Sequence, residues 1–260
     1  MIMIESGLIL LNKSIAMKTF TFGREEGIVK AKTALIAGST GLVGSELLQI
    51  LLAEKQYATV YAVVRRPLAV KHPKLIEIVC DFDRLEAVKE YFAVDDVFCC
   101  LGTTIKKAKT KEAMYRVDVE YPVTLANMAK EQGVCHFLIV SAVNANVGSF
   151  IWYQKLKGQL EEQIKSIPLT AVSILRPSLL IGMRQEFRFF ETIAIKVVRG
   201  LSLLLKRSWP KLAIEARVVA QAMYQLAQRD KPGVTTYSPE QMEDIVRMAP
   251  AGPGIAGRRL

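Results

Sequence analysis

Residues 33 to 54 read TALIAGSTGLVGSELLQILLAE, and this stretch sets the fold. TALIA (33–37) is a short β-rich apolar run that passes directly into a loop with glycines at 38, 41 and 44. The helical stretch SELLQILLAE follows without a spacer. Strand, GxxGxxG loop and helix in immediate succession have a physical purpose. One glycine permits the tight turn, one lets a pyrophosphate approach the backbone, and one lets helix and strand pack closely. The helix start offers free amides and a favourable dipole to an anion. A dinucleotide site made by Gly38, Ser39, Thr40, Gly41, Leu42, Val43 and Gly44 is therefore expected. The competing reading is a tight turn with no ligand.

Outward from this loop the chain alternates apolar strand candidates with helical stretches. The strand candidates are 33–37, 59–64, 75–80, 96–101, 136–141 and 170–175, and the helix candidates are 43–54, 84–92, 111–132 and 149–165. Continuous apolar runs suit strands covered on both faces, and the alternation predicts right-handed crossovers. The expected fold is α/β, a Rossmann-type doubly wound parallel sheet over 32–182. A small, mostly helical region (183–247) would lie over the cleft, between an N-terminal extension (1–31) and a flexible tail (248–260). Residues 1–31 also admit an upstream start codon taken in place of Met17.

The end of the second strand decides which dinucleotide is expected. An acidic residue about twenty positions beyond the glycines would bind the free ribose hydroxyl of NAD. This chain has Arg65 and Arg66 there, in AVVRRP. Two permanently charged guanidinium groups suit a 2′-phosphate, so NADP(H) is favoured over NAD. Asp81 and Phe82 follow the third strand candidate, on the adenine side, while Leu101, Gly102 and Thr103 follow the fourth, where backbone would meet cofactor.

Further along, SFIWYQKLKGQ (149–159) places Tyr153 and Lys157 four residues apart, on one helical face. Ser141 ends the strand HFLIVS, at the carboxyl edge where doubly wound sheets bind ligands. Reduction of a carbonyl needs a proton for the new alkoxide, and a phenol with a pKa of about 10 becomes a usable acid when a neighbouring cation lowers it. The alternative is a tyrosine that only touches cofactor.

The glycine loop, the strand-end serine and YxxxK occur in the order and at separations that resemble the short-chain dehydrogenase/reductase superfamily, in its atypical or extended branch. CLGTT (100–104), YRVDVEYP (115–122), WYQKLKGQLE and RPSLLIGMRQE (176–186) resemble the HIV Tat-interacting protein group and its bacterial relatives. The resemblance spans roughly 32–240. It implies Ser141, Tyr153 and Lys157 as catalytic residues, with Lys157 also holding the nicotinamide ribose and Arg176 and Pro177 at the cofactor. Ser178 stands where the family often has glycine, and Ala142 where it often has a second serine. The implied activity is an NADP(H)-dependent oxidoreductase acting on a small carbonyl or alcohol. Two alternatives stay open: a cofactor-binding regulatory protein without turnover, and a nucleotide-sugar epimerase or dehydratase.

Composition narrows the rest. With 260 residues and 51% hydrophobic content the chain can bury a full core. Cys80, Cys99, Cys100 and Cys135 form neither a CxxC pair nor a disulfide framework, and His72 and His136 are too few for a zinc site, so no metal is expected. The N-terminus lacks a basic start and a small-residue cleavage site, and no apolar run reaches 18 residues. A cytoplasmic protein is expected. The net charge of +10 is concentrated in 183–211 and in the loop of Lys106, Lys107, Lys109 and Lys111, with no accompanying nucleic-acid signature. A small-molecule substrate is expected and nucleic acid is not. The stretch ETIAIKVVRGLSLLLKR (191–207) reads as a cover for the cleft, a dimer contact or a helix on an anionic membrane.

Overall fold

The computed structural model describes residues 31–182, 213–229 and 231–249. The expected extension, the 191–207 segment and nearly all of the expected tail lie outside them. Seven parallel strands form the main sheet: β1 (Lys32–Ala37), β2 (Tyr57–Val64), β3 (Leu75–Val79), β4 (Asp96–Cys99), β5 (His136–Val140), β6 (Ala171–Leu175) and β9 (Gly233–Tyr237). Their order is β3-β2-β1-β4-β5-β6-β9, so the winding reverses between β1 and β4. A ligand cleft lies outside the carboxyl ends of the strands at such a reversal. A separate pair, β7 (Leu179–Ile181) and β8 (Ala213–Glu215), is also parallel.

Helices cover both faces, as the continuous apolarity of the strands requires; every residue of β4, β5 and β6 is buried. On one face, α1 (Leu42–Ala53) buries Leu47, Leu48, Leu51 and Leu52. It meets Val219 and Met223 of α6 (Ala216–Ala227) and Met242 of α7 (Pro239–Met248) in one core. On the other face, α4 (Tyr121–Glu131) and α5 (Trp152–Ser166) bury Leu125, Met128, Leu156, Leu160 and Ile164 against the sheet. Each fully buried leucine contributes roughly 2 kcal/mol relative to exposure.

Two helices differ from the regular form expected. The 84–92 candidate is a 3₁₀ segment, Phe82–Phe92, interrupted at Arg84 and Val88. The 111–132 candidate is α3 (Lys111–Tyr115), one π-helical stretch at Arg116–Glu120, and then α4. A short turn, α2 (Ile105–Ala108), precedes it.

The expected boundary after residue 182 does not separate two bodies. β9 pairs with β6 along its whole length, and α6 packs on α1. The described residues beyond 213 therefore complete the main sheet and its core. The reason is geometric: β6 would otherwise be an open edge, and β9 satisfies its backbone groups.

Candidate active site

The glycine loop is shaped by contacts that forbid side chains. Gly38 has φ +87°, and a Cβ there would lie 2.5 Å from the Cys100 carbonyl oxygen; a Cβ at Gly44 would lie 2.1 Å from the Gly38 oxygen. The Cys100 amide, just past β4, donates to the Ala37 oxygen at 2.8 Å, which presses the two strand ends together at the winding reversal. The Gly41 amide donates to the Gly38 oxygen at 2.9 Å, and Gly41 starts α1 with no side chain capping it. The first-turn amides of Leu42, Val43 and Gly44 thus face the loop without an intrahelical acceptor. Ser39 is 3% exposed, and its hydroxyl has no partner among the described residues. An unpartnered buried hydroxyl beside open amides is a cradle fitted to a phosphate. Thr40 is exposed at the tip.

The expected adenosine-side residues differ in what they offer. Arg65 and Arg66 are exposed directly after β2 and make no hydrogen bond or ion pair with described residues. Asp81 is exposed, but one carboxylate oxygen accepts the Asp83 amide and caps the 3₁₀ segment. Phe82 is 6% exposed with its ring against Tyr121, centroids 5.6 Å apart. Its side chain belongs to the core, so only its backbone can meet a nucleotide. Leu101, Gly102 and Thr103 leave β4 toward the cleft, and the Thr103 amide donates to Asp118 Oδ2 at 2.8 Å.

Helix α5 carries Tyr153 half exposed and Lys157 buried. Lys157 Nζ lies 2.7 Å from Asp118 Oδ1, with side-chain exposures of 3% and 1%. Burial alone would lower the pKa of Lys157, but the Asp118 charge, aided by the neighbouring Tyr153, outweighs it and the net shift is upward. The lysine is therefore a fixed cation beside the phenol. Burial also pushes the Cys99 thiol up to about 12, which leaves it inert. Asp118, which the sequence did not single out, lies in the π-helical stretch. An extra residue in that turn changes the phase of the helix, and an acid flanked by Val117 and Val119 is brought to its buried face.

Two expected site residues have different tasks. Ser141 is 4% exposed, and its hydroxyl donates to Glu161 Oε1 at 2.7 Å. Its single hydrogen is engaged by a carboxylate of the same chain. Arg176 donates from Nε to Glu161 Oε1 (2.8 Å), and from Nη2 to Glu161 Oε2 (2.6 Å) and the Ala145 oxygen (3.3 Å). Its planar fork is matched to a carboxylate of the same chain. Pro177 is buried, and its carbonyl accepts the Val143 amide at 2.9 Å. Among the described residues no cluster of histidine, cysteine or carboxylate could hold a metal.

The model of the NAD dependent epimerase/dehydratase family matches residues 34–195. Protein HTATIP2 of Rattus norvegicus is 33% identical over 182 residues, 68% of this chain and 75% of that protein. Protein FMP52, mitochondrial, of Debaryomyces hansenii is 30% identical over 227 residues, 83% of this chain and 98% of that protein. Among solved structures, MoeE5 in complex with UDP-glucose and NAD matches with a TM-score of 0.60 at 18% identity, covering 79% of this chain and 75% of that one. A UDP-N-acetylglucosamine 4-epimerase from Methanobrevibacter ruminantium matches at 0.59 and 16% identity, covering 80% and 76%. At these identities the structures show the shared fold. The expectation of a cytoplasmic protein is overturned by the relatives' names: the FMP52 proteins of Debaryomyces hansenii, Eremothecium gossypii and Meyerozyma guilliermondii are all called mitochondrial. The expectation rests in part on cysteine usage, which does not distinguish cytoplasm from a reducing organelle interior. With its glycine cradle at the winding reversal and its matched residues, the chain belongs to the NAD dependent epimerase/dehydratase family, as a Rossmann-fold, NAD(P)-binding relative of HTATIP2 and FMP52 within the short-chain dehydrogenase/reductase superfamily.

Proposed function

We propose that the protein is an NADP(H)-dependent oxidoreductase that interconverts a small carbonyl compound and its alcohol, with Tyr153 as the acid and base. The observation that carries this reading is the fixed ammonium of Lys157 beside the half-exposed phenol of Tyr153, on the helix that follows β5. When bound, the nicotinamide supplies or accepts hydride. The chain's residues do the rest. Gly38 to Gly44 hold the pyrophosphate on open amides, and Arg65 and Arg66 hold the 2′-phosphate, having no competing partner among described residues. Tyr153 Oη gives a proton to the substrate oxygen, and the Lys157 charge stabilises the phenolate left behind. Proton transfer of this kind is worth roughly 10² to 10⁴ in rate.

Fluorescence titration with NADPH and NADH, on the native chain and on the Arg65→Asp, Arg66→Ala double variant, tests the cofactor half. Tight NADPH binding lost in that variant supports it; equal binding of NADH and NADPH by the native chain removes the arginines from the reading. A carbonyl panel comparing native protein with Tyr153→Phe tests the chemical half. A second reading, epimerisation or dehydration of a nucleotide-sugar, is favoured by the matching family's name and by neighbours solved with UDP-sugars. Cofactor that stays with the protein through purification would favour it over net oxidoreduction.

A further inference from the structure

Glu161 is an internal carboxylate that neither the motif nor the proposed chemistry uses. It lies eight residues after Tyr153 and four after Lys157, so all three share one face of α5. It is 2% exposed, and its carboxylate is filled on both oxygens. Oε1 accepts the Ser141 hydroxyl and Arg176 Nε; Oε2 accepts Arg176 Nη2 and Lys165 Nζ at 3.3 Å. A carboxylate has about four acceptor positions, so Glu161 has none left for a substrate or a transferring proton.

Lys165 belongs to α5 itself, and the other two partners lead to different elements. Ser141 follows β5, and its amide donates to Leu175 of β6 at 2.7 Å. Arg176 follows β6, and its amide donates to Tyr237 of β9 at 2.9 Å. The Arg176 guanidinium also reaches Ala145 in the loop that leads to Tyr153. One carboxylate on α5 thus gathers the carboxyl ends of three strands and the loop between β5 and α5.

We infer that Glu161 is a positioning residue, which fixes the Ser141 hydroxyl and the Arg176 side chain to the helix face carrying Tyr153 and Lys157, so that Ser141 acts through Glu161 rather than on the substrate. The consequence is kinetic. A shift of about 1 Å between reacting groups costs on the order of a hundredfold in rate, whereas the nucleotide cradle on β1 and α1 lies on elements Glu161 does not touch.

The inference rests on the oxidoreductase reading, and the test separates the two. A double-mutant cycle combines Ser141→Ala and Glu161→Gln, with Glu161→Asp as the variant that keeps the charge should Glu161→Gln not fold. Two quantities are measured: NADPH affinity, which needs no substrate, and kcat and KM on a carbonyl from the panel. Glu161→Gln is expected to lower kcat about tenfold to a hundredfold and to weaken NADPH only a few-fold, through the displaced Lys157. Glu161→Asp should recover part of the loss. Ser141→Ala should reduce kcat in the native background and change nothing further beside Glu161→Gln. Equal Ser141→Ala losses in both backgrounds would overturn the inference, because Ser141 would then act on the substrate independently. So would a Glu161→Gln protein with native affinity and kcat. Tyr153→Phe is run alongside: full activity in that variant sinks the oxidoreductase reading, whatever the cycle shows. If no carbonyl turns over, the NADPH arm decides, and native affinity in both Glu161 variants overturns the inference.

Discussion

Each end of the sheet carries a buried aspartate paired with a lysine, and the two pairs differ in what surrounds them. At the carboxyl end, Asp118 has both oxygens engaged, by Lys157 Nζ and the Thr103 amide, and the pair is sealed from water. At the amino end, Asp96 Oδ2 accepts from Lys32 Nζ (2.8 Å) and the Tyr57 hydroxyl (2.6 Å), while Oδ1 has no partner among described residues. Lys32 is a third exposed and also donates to the Ala227 oxygen at the end of α6. Burial holds the Asp96 carboxyl above its usual range despite Lys32, whereas Asp118 lifts Lys157 above its own. The lower pair ties strands to helices far from the cleft. The upper pair delivers a cation to the tyrosine. Identical residue types thus serve architecture at one end and, in the proposed function, chemistry at the other.

The largest expected effect tests the upper end. Tyr153→Phe should lower turnover by about 10² to 10⁴ while leaving the melting temperature near native, since Tyr153 is half exposed. A variant that melts early would instead make the tyrosine part of the core. Next comes Asp118→Asn, which leaves Lys157 buried without its counter-charge and should cost about 3 kcal/mol in urea unfolding. The pH profile carries the sharper sign. Lys157, raised by Asp118, contributes stability fully below the ordinary lysine value and loses it only as pH rises through the folded one. Without Asp118, burial lowers it, and the alkaline limb of activity should move toward neutrality. An unmoved limb would detach the pair from the chemistry.

Lys32→Met tests the lower end and should cost about 2 kcal/mol, less than the upper pair because Lys32 is partly solvated, with NADPH affinity within twofold of native. A large loss of affinity would erase the contrast between the ends. The smallest effect at neutral pH belongs to His136, also at the amino end, where burial lowers its pKa to about 4 and its Nε2 lies 2.9 Å from Ser173 Oγ. The unfolded chain takes up this proton first, so stability should decline as pH falls from about 6.5 to about 4. His136→Gln should flatten that decline in acid unfolding measurements.

How much of this was legible depended on whether a residue's role is local. The glycine loop is a local device, and its spacing named the cradle and the winding reversal. The strands β1, β2 and β4 to β6 were legible because most of their residues are apolar and buried, and β3, an exposed edge strand, because LIEIV is still almost wholly apolar. β9 was not, because GVTTY is an edge strand, half exposed and without continuous apolarity. Tyr153 and Lys157 were legible as an i, i+4 pair. Ser141 was found by its place at a strand end, but the direction of its hydroxyl depends on Glu161, twenty residues away. Glu161 itself had one signal, a second four-residue step after Tyr153 and Lys157. Asp118 reads as an ordinary polar position because the helical period assumed for 111–132 is broken by the π-helical stretch around it.

The small ladder of β7 and β8 has a consequence for redesign. Leu179–Ile181 pairs in parallel register with Ala213–Glu215, although more than thirty positions separate the two strands in the sequence. β6 and β9, which flank the ladder in the sequence, are themselves neighbours in the main sheet. A redesign that keeps the pairing of β7 with β8 keeps both strands in one frame.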